Sequence, residues 1–177
     1  AWPPARVVPL RGKTRGLFGW GRIGRAVASR ALAFGMTVAA FDPVSDPEID
    51  AHLGVARLGF EELLASADVV SLHLPLTRET RGLFGRETLA RMRPGSILLN
   101  TARGGLVVET DLAEALASGH LASAGLDVLN TEPPEPDNPL LRLPNVVFFS
   151  HLGGVYRQVM PDMDARGALL RAALPRA

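Results

Sequence analysis

The sequence predicts a single three-layer α/β domain, a doubly wound parallel sheet with helices on both faces. Three observations point there. Short apolar runs of four or five residues alternate with stretches of helical period, and a turn with three spaced glycines follows the first run. The polar residues of interest fall just past the ends of such runs, where ligands bind in open α/β sheets. At 177 residues and 18.9 kDa, with 47% hydrophobic and 21% charged residues, the chain has the composition of one globular domain.

Six strands are expected. The first covers about Thr14 to Phe18, and the helix from Arg22 to Phe34 places Ile23, Val27, Ala31 and Phe34 on one apolar face, with Gly35 stopping it. Strand two is about Thr37 to Phe41 and ends at Asp42 and Pro43, because proline has no donor with which to continue a ladder. A polar stretch at 45–50 then covers the surface. A short helix near Phe60 to Ala65 precedes strand three, Asp68 to Leu74, and a second short helix, Arg86 to Met92, ends before the Pro94-Gly95 turn that launches strand four at Ser96 to Asn100. A helix from Asp111 to Ser118, stopped by Gly119, leads to strand five at Ala122 to Leu126; strand six is Val146 to Phe149. The stretch from Gln158 to Leu174 reads as helical, weakened by Pro161 and Gly167. No internal repeat of fixed period and no low-complexity tract is present.

Composition excludes several classes of function. There is no cysteine, so disulfide frameworks, cysteine-ligated zinc, iron–sulfur clusters and thiol catalysis are ruled out. Nineteen Lys plus Arg against eighteen Asp plus Glu leave a net charge of +1, with the cations scattered and Lys13 the sole lysine. That charge does not build the field a nucleic-acid backbone demands. The apolar runs fall far short of the roughly 20 residues of a membrane span, and the amino-terminal residues lack the pattern of a secretory signal. The expectation is a soluble, cytoplasmic protein with no nucleic-acid or membrane partner and no metal.

Residues 19 to 24 read GWGRIG, which sets Gly19, Gly21 and Gly24 at the spacing of a dinucleotide-binding turn between a strand and a helix. Asp42 follows Gly24 by 18 positions, at the end of the next strand, close to the separation of about 20 expected for a ribose-binding acid. The chemistry assigns each residue a task. Gly19 permits the tight turn, Gly21 lets backbone N–H groups approach a pyrophosphate, and Gly24 lets helix and strand pack closely. Arg22 and Ile23 offer their amides at the positive end of the helix dipole. A carboxylate at Asp42 accepts from ribose hydroxyls and repels a 2′-phosphate, and neither Pro43, Val44 nor Ser45 is an arginine, so NAD is favoured over NADP.

Past the later strands stand Arg103, Asp127, Glu132 and His151. A 2-hydroxy acid bound beside NAD needs a cation for its carboxylate, a base for its hydroxyl proton and an anion to orient that base. Arg103, His151 and Glu132 supply these types.

With these motifs in view, the sequence resembles the cofactor-binding domain of the D-isomer-specific 2-hydroxyacid dehydrogenases. The stretches that carry the resemblance are GWGRIG, FDP at Phe41 to Pro43, and ADVVSLHLPLTRETRGLF at Ala67 to Phe84. MRPGSILLNTARGGLV at Met92 to Val107, AGLDVLNTEPP at Ala124 to Pro134 and NPLLRLPNVVFFSHLGG at Asn138 to Gly154 complete them. The resemblance runs from Gly12 to about Met163 and implies a Rossmann-type domain. It implies that Arg103 holds the substrate carboxylate and carbonyl, that His151 is the acid/base, and that Glu132 pairs with His151 and favours its protonated form. It places Leu74, Pro75, Thr80, Thr101, Ala102, Asp127 and Gly153 around NAD with the glycine turn, Asp127 near the nicotinamide carboxamide, and counts Arg103 and His151 among the cofactor contacts. A small 2-hydroxy or 2-keto acid is the implied substrate, and a homodimer through this domain the implied assembly.

Complete members of that family are about twice this long. The resemblance therefore implies residues 1–11 as the end of a connection between lobes, 12–154 as the NAD-binding domain, 155–177 as a carboxyl-terminal helical segment, and a substrate-binding lobe largely absent, with reduced activity for the chain by itself. Ser150 stands where the family usually has proline, and Tyr156 where a smaller polar residue is commoner. A branch of the family serves as NADH-responsive corepressors, which gives a non-enzymatic interaction domain as the alternative reading, with an inactive cofactor-domain fragment as a third.

Overall fold

The computed structural model describes residues 9–44 and 54–154. The run TRGLF forms β1 (Thr14–Phe18), and after the glycine turn α1 spans Arg22–Ala33. There follow β2 (Thr37–Phe41), β3 (Ala56–Arg57), α2 (Phe60–Ser66) and β4 (Val69–Leu72). The second half comprises α3 (Arg86–Arg91), β5 (Ile97–Asn100), a 3-10 turn (Gly104–Leu106), α4 (Glu109–Ala117), β6 (Ser123–Leu126), a second 3-10 turn (Pro139–Arg142) and β7 (Val146–Phe148).

All strand pairs are parallel, in the order β3-β2-β1-β4-β5-β6-β7. Strands that are buried on both faces read as continuous apolar runs rather than alternating ones, and VVSL at β4 is buried throughout. Alternate side chains feed two cores. On one face Leu17, Val38, Ala40 and Val69 pack with Ala28 and Ala31 of α1. On the other, Phe18, Val70, Leu72, Leu98 and Ala124 meet Leu63 and Leu64 of α2, Leu89 of α3 and Leu112 and Leu116 of α4. Phe18 anchors the second core at the carboxyl end of β1, edge-on to Phe60 at 5.1 Å and to Phe84 at 5.3 Å, contacts that add about 0.5–1.5 kcal/mol each beyond burial.

The sheet has one strand more than the six expected. β3 is two residues long at the sheet edge, too short to produce a periodic signal. The third expected strand is trimmed to Val69–Leu72, and the helix expected from Asp111 begins at Glu109.

The face of α1 differs more. Ile23 and Phe34 are 68% and 65% exposed. The buried stripe is Gly24, Ala28 and Ala31, with Val27 and Leu32 packed beside it. Three small residues at a helical spacing let α1 lie close on the sheet, which a stripe through Ile23 and Phe34 does not allow. The polar stretch at 45–50 and the helix expected at Gln158 to Leu174 lie outside the described residues.

At the amino end of the sheet Asp68 is the tie. One carboxylate oxygen accepts from the Thr14 amide at 2.9 Å, the other meets Lys13 Nζ at 3.2 Å and Arg93. Burial pushes the Asp68 carboxyl up, but the Thr14 amide, Lys13 and the Arg93 charge outweigh it and hold the group below its usual range. A lowered carboxylate contributes stability above its unfolded value, near pH 4, and loses it as pH falls through the folded value. Asp68→Asn is therefore expected to cost about 1–3 kcal/mol at neutral pH. In urea unfolding at decreasing pH, the gap to the parent chain should close below pH 4.

Candidate functional site

The ladder continues one step past the strands: the Gly19 amide donates to the Phe41 carbonyl at 2.9 Å and the His73 amide to the Phe18 carbonyl at 2.7 Å. Gly19 has a φ of 105°, and a Cβ there would lie 2.6 Å from the His73 carbonyl group. No other residue fits. A Cβ on Gly24 would overlap the Gly19 carbonyl, whereas one on Gly21 would meet nothing within 4 Å. The turn is thus closed beneath and open above. The N-terminus of α1 has no side-chain cap and no acidic residue in its first turn, and the Arg22 and Ile23 amides have no acceptor among the described residues. Unpartnered amides at a helix N-terminus below open space suit a diphosphate.

Asp42 borders this turn. Its Oδ2 accepts from the Trp20 amide at 2.7 Å and its Oδ1 from the Val44 amide at 2.9 Å, which leaves each oxygen further acceptor capacity for hydroxyl donors. Ile23, His73, Leu74, Pro75, Leu76, Thr101, Ala102 and Arg103 line a cleft of about 620 Å³ that opens from the turn. Thr80 lies off this lining. Its hydroxyl donates to the Pro75 carbonyl at 2.7 Å and accepts from the Thr77 amide at 2.8 Å, folding the loop that carries Leu74 and Pro75.

Arg103 follows β5 on a turn set by Asn100. The Asn100 side chain accepts from the Ala102 amide at 3.1 Å and donates to the Arg103 carbonyl at 2.9 Å, while Arg103 Nη1 donates to the Ala102 carbonyl at 2.6 Å. The guanidinium stays exposed at the cleft edge.

Asp127 follows β6 and is 6% exposed. Its amide donates to the Asn100 carbonyl at 3.0 Å and its carbonyl accepts from the His151 amide at 2.9 Å. Its carboxylate accepts from Leu152 at 2.8 Å and Gly153 at 2.9 Å, and a Cβ on Gly153 would sit 2.8 Å from Asp127 Oδ2. These bonds hold His151 at a φ of 58°. His151 Nδ1 then lies 2.7 Å from Glu132 Oε2, and Glu132 Oε1 accepts from the Leu129 amide at 3.0 Å. The hydrogen bond from His151, then that from Leu129, hold the Glu132 carboxyl below its usual range. Behind the pair a cavity of about 280 Å³ is lined by Leu129, Pro133, Pro134, Phe149 and Ser150.

Three groups had no clear sequence signal. Arg57, distant in sequence, donates to the Asp42 carbonyl at 2.8 Å and to the Val44 carbonyl at 3.3 Å. Asn100 could have been read from its place before TARGG, as a side chain that caps its own turn. Arg15, Ser71 and His73 form a polar chain on the face of β1 and β4: Arg15 Nη2 donates to Ser71 Oγ at 3.2 Å, which lies 3.0 Å from His73 Nε2. Burial, then the Arg15 charge, push the His73 imidazole down to about 4. Among the described residues no group of three or more His, Asp or Glu is placed to hold a metal ion, and no helix is long and apolar enough to cross a membrane.

The fold and the turn together define a dinucleotide-binding α/β domain. Residues 1–153 match the family described as D-isomer specific 2-hydroxyacid dehydrogenase, NAD binding domain, and the chain belongs to that family. It is 47% identical over 151 residues to a D-3-phosphoglycerate dehydrogenase of Archaeoglobus fulgidus, covering 85% of this chain and 29% of that one. It is 46% identical over 165 residues to a glyoxylate reductase of Korarchaeum cryptofilum, covering 92% of this chain and 50% of the reductase. The crystal structure of a Thermus thermophilus protein superposes with a TM-score of 0.83 at 51% identity, over 92% of this chain and 51% of that one. The chain thus spans between about a third and a half of the length of these relatives.

His73 makes a test of the site's interior. The unfolded chain takes up a proton at this ring near pH 6.5 and the folded chain only near 4, so between those values the unfolded state binds more protons and stability falls as pH is lowered. His73→Asn should flatten that part of the profile. Urea midpoints at pH 7 and pH 5 should differ less in the variant than in the parent chain.

Proposed function

We propose that this chain is the NAD-binding and catalytic half of a D-2-hydroxyacid dehydrogenase, moving hydride between NAD(H) and a small 2-hydroxy or 2-keto acid. The observation that carries the reading is the 2.7 Å bond between His151 Nδ1 and Glu132 Oε2, at the same sheet edge as Arg103 and the open glycine turn. A histidine oriented through one ring nitrogen by a carboxylate presents the other to a substrate.

When bound, the nicotinamide supplies or takes the hydride. The protein does the rest. Arg103 offers a planar fork of donors to the substrate carboxylate. Glu132 fixes the His151 ring with Nδ1 protonated, leaving Nε2 to act. In reduction a protonated His151 gives its Nε2 proton to the keto oxygen; in oxidation a neutral His151 takes the hydroxyl proton there. Gly19, Gly21, Gly24 and the Arg22 and Ile23 amides hold the diphosphate, and Asp42 the ribose, where its charge selects NAD over NADP. Leu74, Pro75, Thr101, Ala102, Arg103, Asp127, His151 and Gly153 border the cofactor, Asp127 near the nicotinamide carboxamide, and Thr80 shapes the loop that carries Leu74 and Pro75. The relatives act on small 2-hydroxy or 2-keto acids by their names, a phosphoglycerate and glyoxylate among them, and a substrate of that class is inferred here. The same reading divides the chain into a connection at 1–11, the NAD domain at 12–154 and a carboxyl-terminal segment at 155–177, in a cytoplasmic homodimer.

NADH-dependent reduction of glyoxylate and hydroxypyruvate tests the reading. His151→Gln is expected to lower kcat by about 10²- to 10⁴-fold. Arg103→Leu should act mainly through a raised KM for the keto acid. Turnover indifferent to His151→Gln would contradict the acid/base assignment.

A further inference from the structure

Just behind the Arg103 turn, the start of α4 holds the Glu132 loop through a residue that has no place in the chemistry described so far. Glu109, the first residue of α4, is half-buried and does not cap its own helix. Its Oε1 accepts from the Asn130 amide at 2.6 Å and its Oε2 from Asn138 Nδ2 at 2.6 Å. Both oxygens thus face the loop that carries Glu132. That loop is also pressed onto the Arg103 turn: a Cβ on Gly104 would overlap the Leu129 carbonyl, and Asn130 Nδ2 donates to the Val107 carbonyl at 3.3 Å.

We propose that Glu109 is a positioning residue that holds the Glu132 loop to the start of α4 and so keeps it pressed on the Arg103 turn, so that the carboxylate-holding cation and the acid/base pair are set as one unit. The inference rests on the reading of Arg103, Glu132 and His151 as the reacting set. Its geometric core is a pair of consecutive amides. Leu129 donates to Glu132 and Asn130 donates to Glu109, so two carboxylates hold adjacent peptide groups of one loop and neither amide moves without the other. Release of Asn130 frees Leu129, Glu132 Oε1 loses its backbone donor, and the orientation of the His151 ring loosens. The far end of the same loop is pinned by Asn138, whose Oδ1 accepts from the Leu140 amide at 3.0 Å while its Nδ2 reaches Glu109.

The chemistry of the link makes it specific. A carboxylate offers acceptors on both oxygens, and here both partners are donors. Glu109→Met removes both acceptors with little change of side-chain length, so the Asn130 and Asn138 bonds are lost together. Asn138→Asp sets a second carboxylate against Glu109 Oε2, which repels the Glu109 side chain from the loop, and retains an oxygen to cap Leu140. It also keeps the test valid if Glu109→Met does not fold.

The primary readout is the Glu132 carboxyl titration, followed by carbon-13 NMR in this chain without any turnover. In both variants it should rise toward the ordinary glutamate value, because the Leu129 amide no longer holds it down. In the glyoxylate assay with NADH, kcat should fall by about 10- to 100-fold while the KM for NADH stays within about twofold. A Glu132 titration unchanged in folded Glu109→Met and Asn138→Asp chains would overturn the coupling and leave Glu109 a simple loop tether. That outcome is separable from failure of the dehydrogenase reading, which shows instead as turnover indifferent to His151→Gln with the Glu132 titration still responding to Glu109.

Discussion

One constraint organises this molecule: all pairs are parallel, and every strand but the two-residue edge strand β3 is in register at its carboxyl end. Phe18 stands opposite Phe41 and Leu72, Leu72 opposite Asn100, Asn100 opposite Leu126, and Leu126 opposite Phe148. The next residue on each of these six strands is therefore delivered to one edge, and those residues are Gly19, Asp42, His73, Thr101, Asp127 and Phe149. A ladder of amides one step beyond the strands keeps the order, with Gly19 bonded to Phe41, His73 to Phe18 and Asp127 to Asn100. The fold thus collects site residues from across the sequence without any of them belonging to the core.

Within that edge Asp127 decides the position of His151. A non-glycine residue at positive φ costs on the order of 1–3 kcal/mol, and His151 sits at 58°. Its amide on the Asp127 carbonyl, with the next two amides on the Asp127 carboxylate, offsets that cost. Bonds from amides to a charged carboxylate are stronger than neutral ones. The result is an imidazole whose backbone is fixed from Asp127 and whose ring is fixed from Glu132, a division that separates placement from orientation. Ser150 in place of proline leaves this arrangement intact, because the constraint acts on the three residues after it.

The parallel sheet was legible because its strands are short apolar runs, and β1 and β2 fall at the residues expected. The turn was legible because Gly19 and Gly24 are required by backbone collisions that no other residue avoids, so the chemistry is written in residue type. The buried face of α1 was misread for a physical reason: close packing on the sheet selects Gly24, Ala28 and Ala31, which carry little hydrophobic signal, while Ile23 and Phe34 carry a strong one and lie exposed. The Arg57 contact with Asp42, the Arg15 contact with Ser71 and the Glu109 link join residues 15 to 56 positions apart. Contacts of that kind depend on the sheet order and on loop paths, which local pattern does not encode. His151 and Glu132 were recognisable as residue types suited to one chemistry, whereas their 2.7 Å contact required the cooperation of Asp127.

The central claim is that this edge is an NAD site with Asp42 on the ribose. The most direct measurement is a calorimetric titration of NADH into the 177-residue chain, with Asp42→Ala alongside. Saturable one-to-one binding is expected, weakened by about tenfold or more in the variant through loss of charge-assisted hydrogen bonds. A folded chain that takes up no NADH, or one whose affinity is the same without the Asp42 carboxylate, would contradict it.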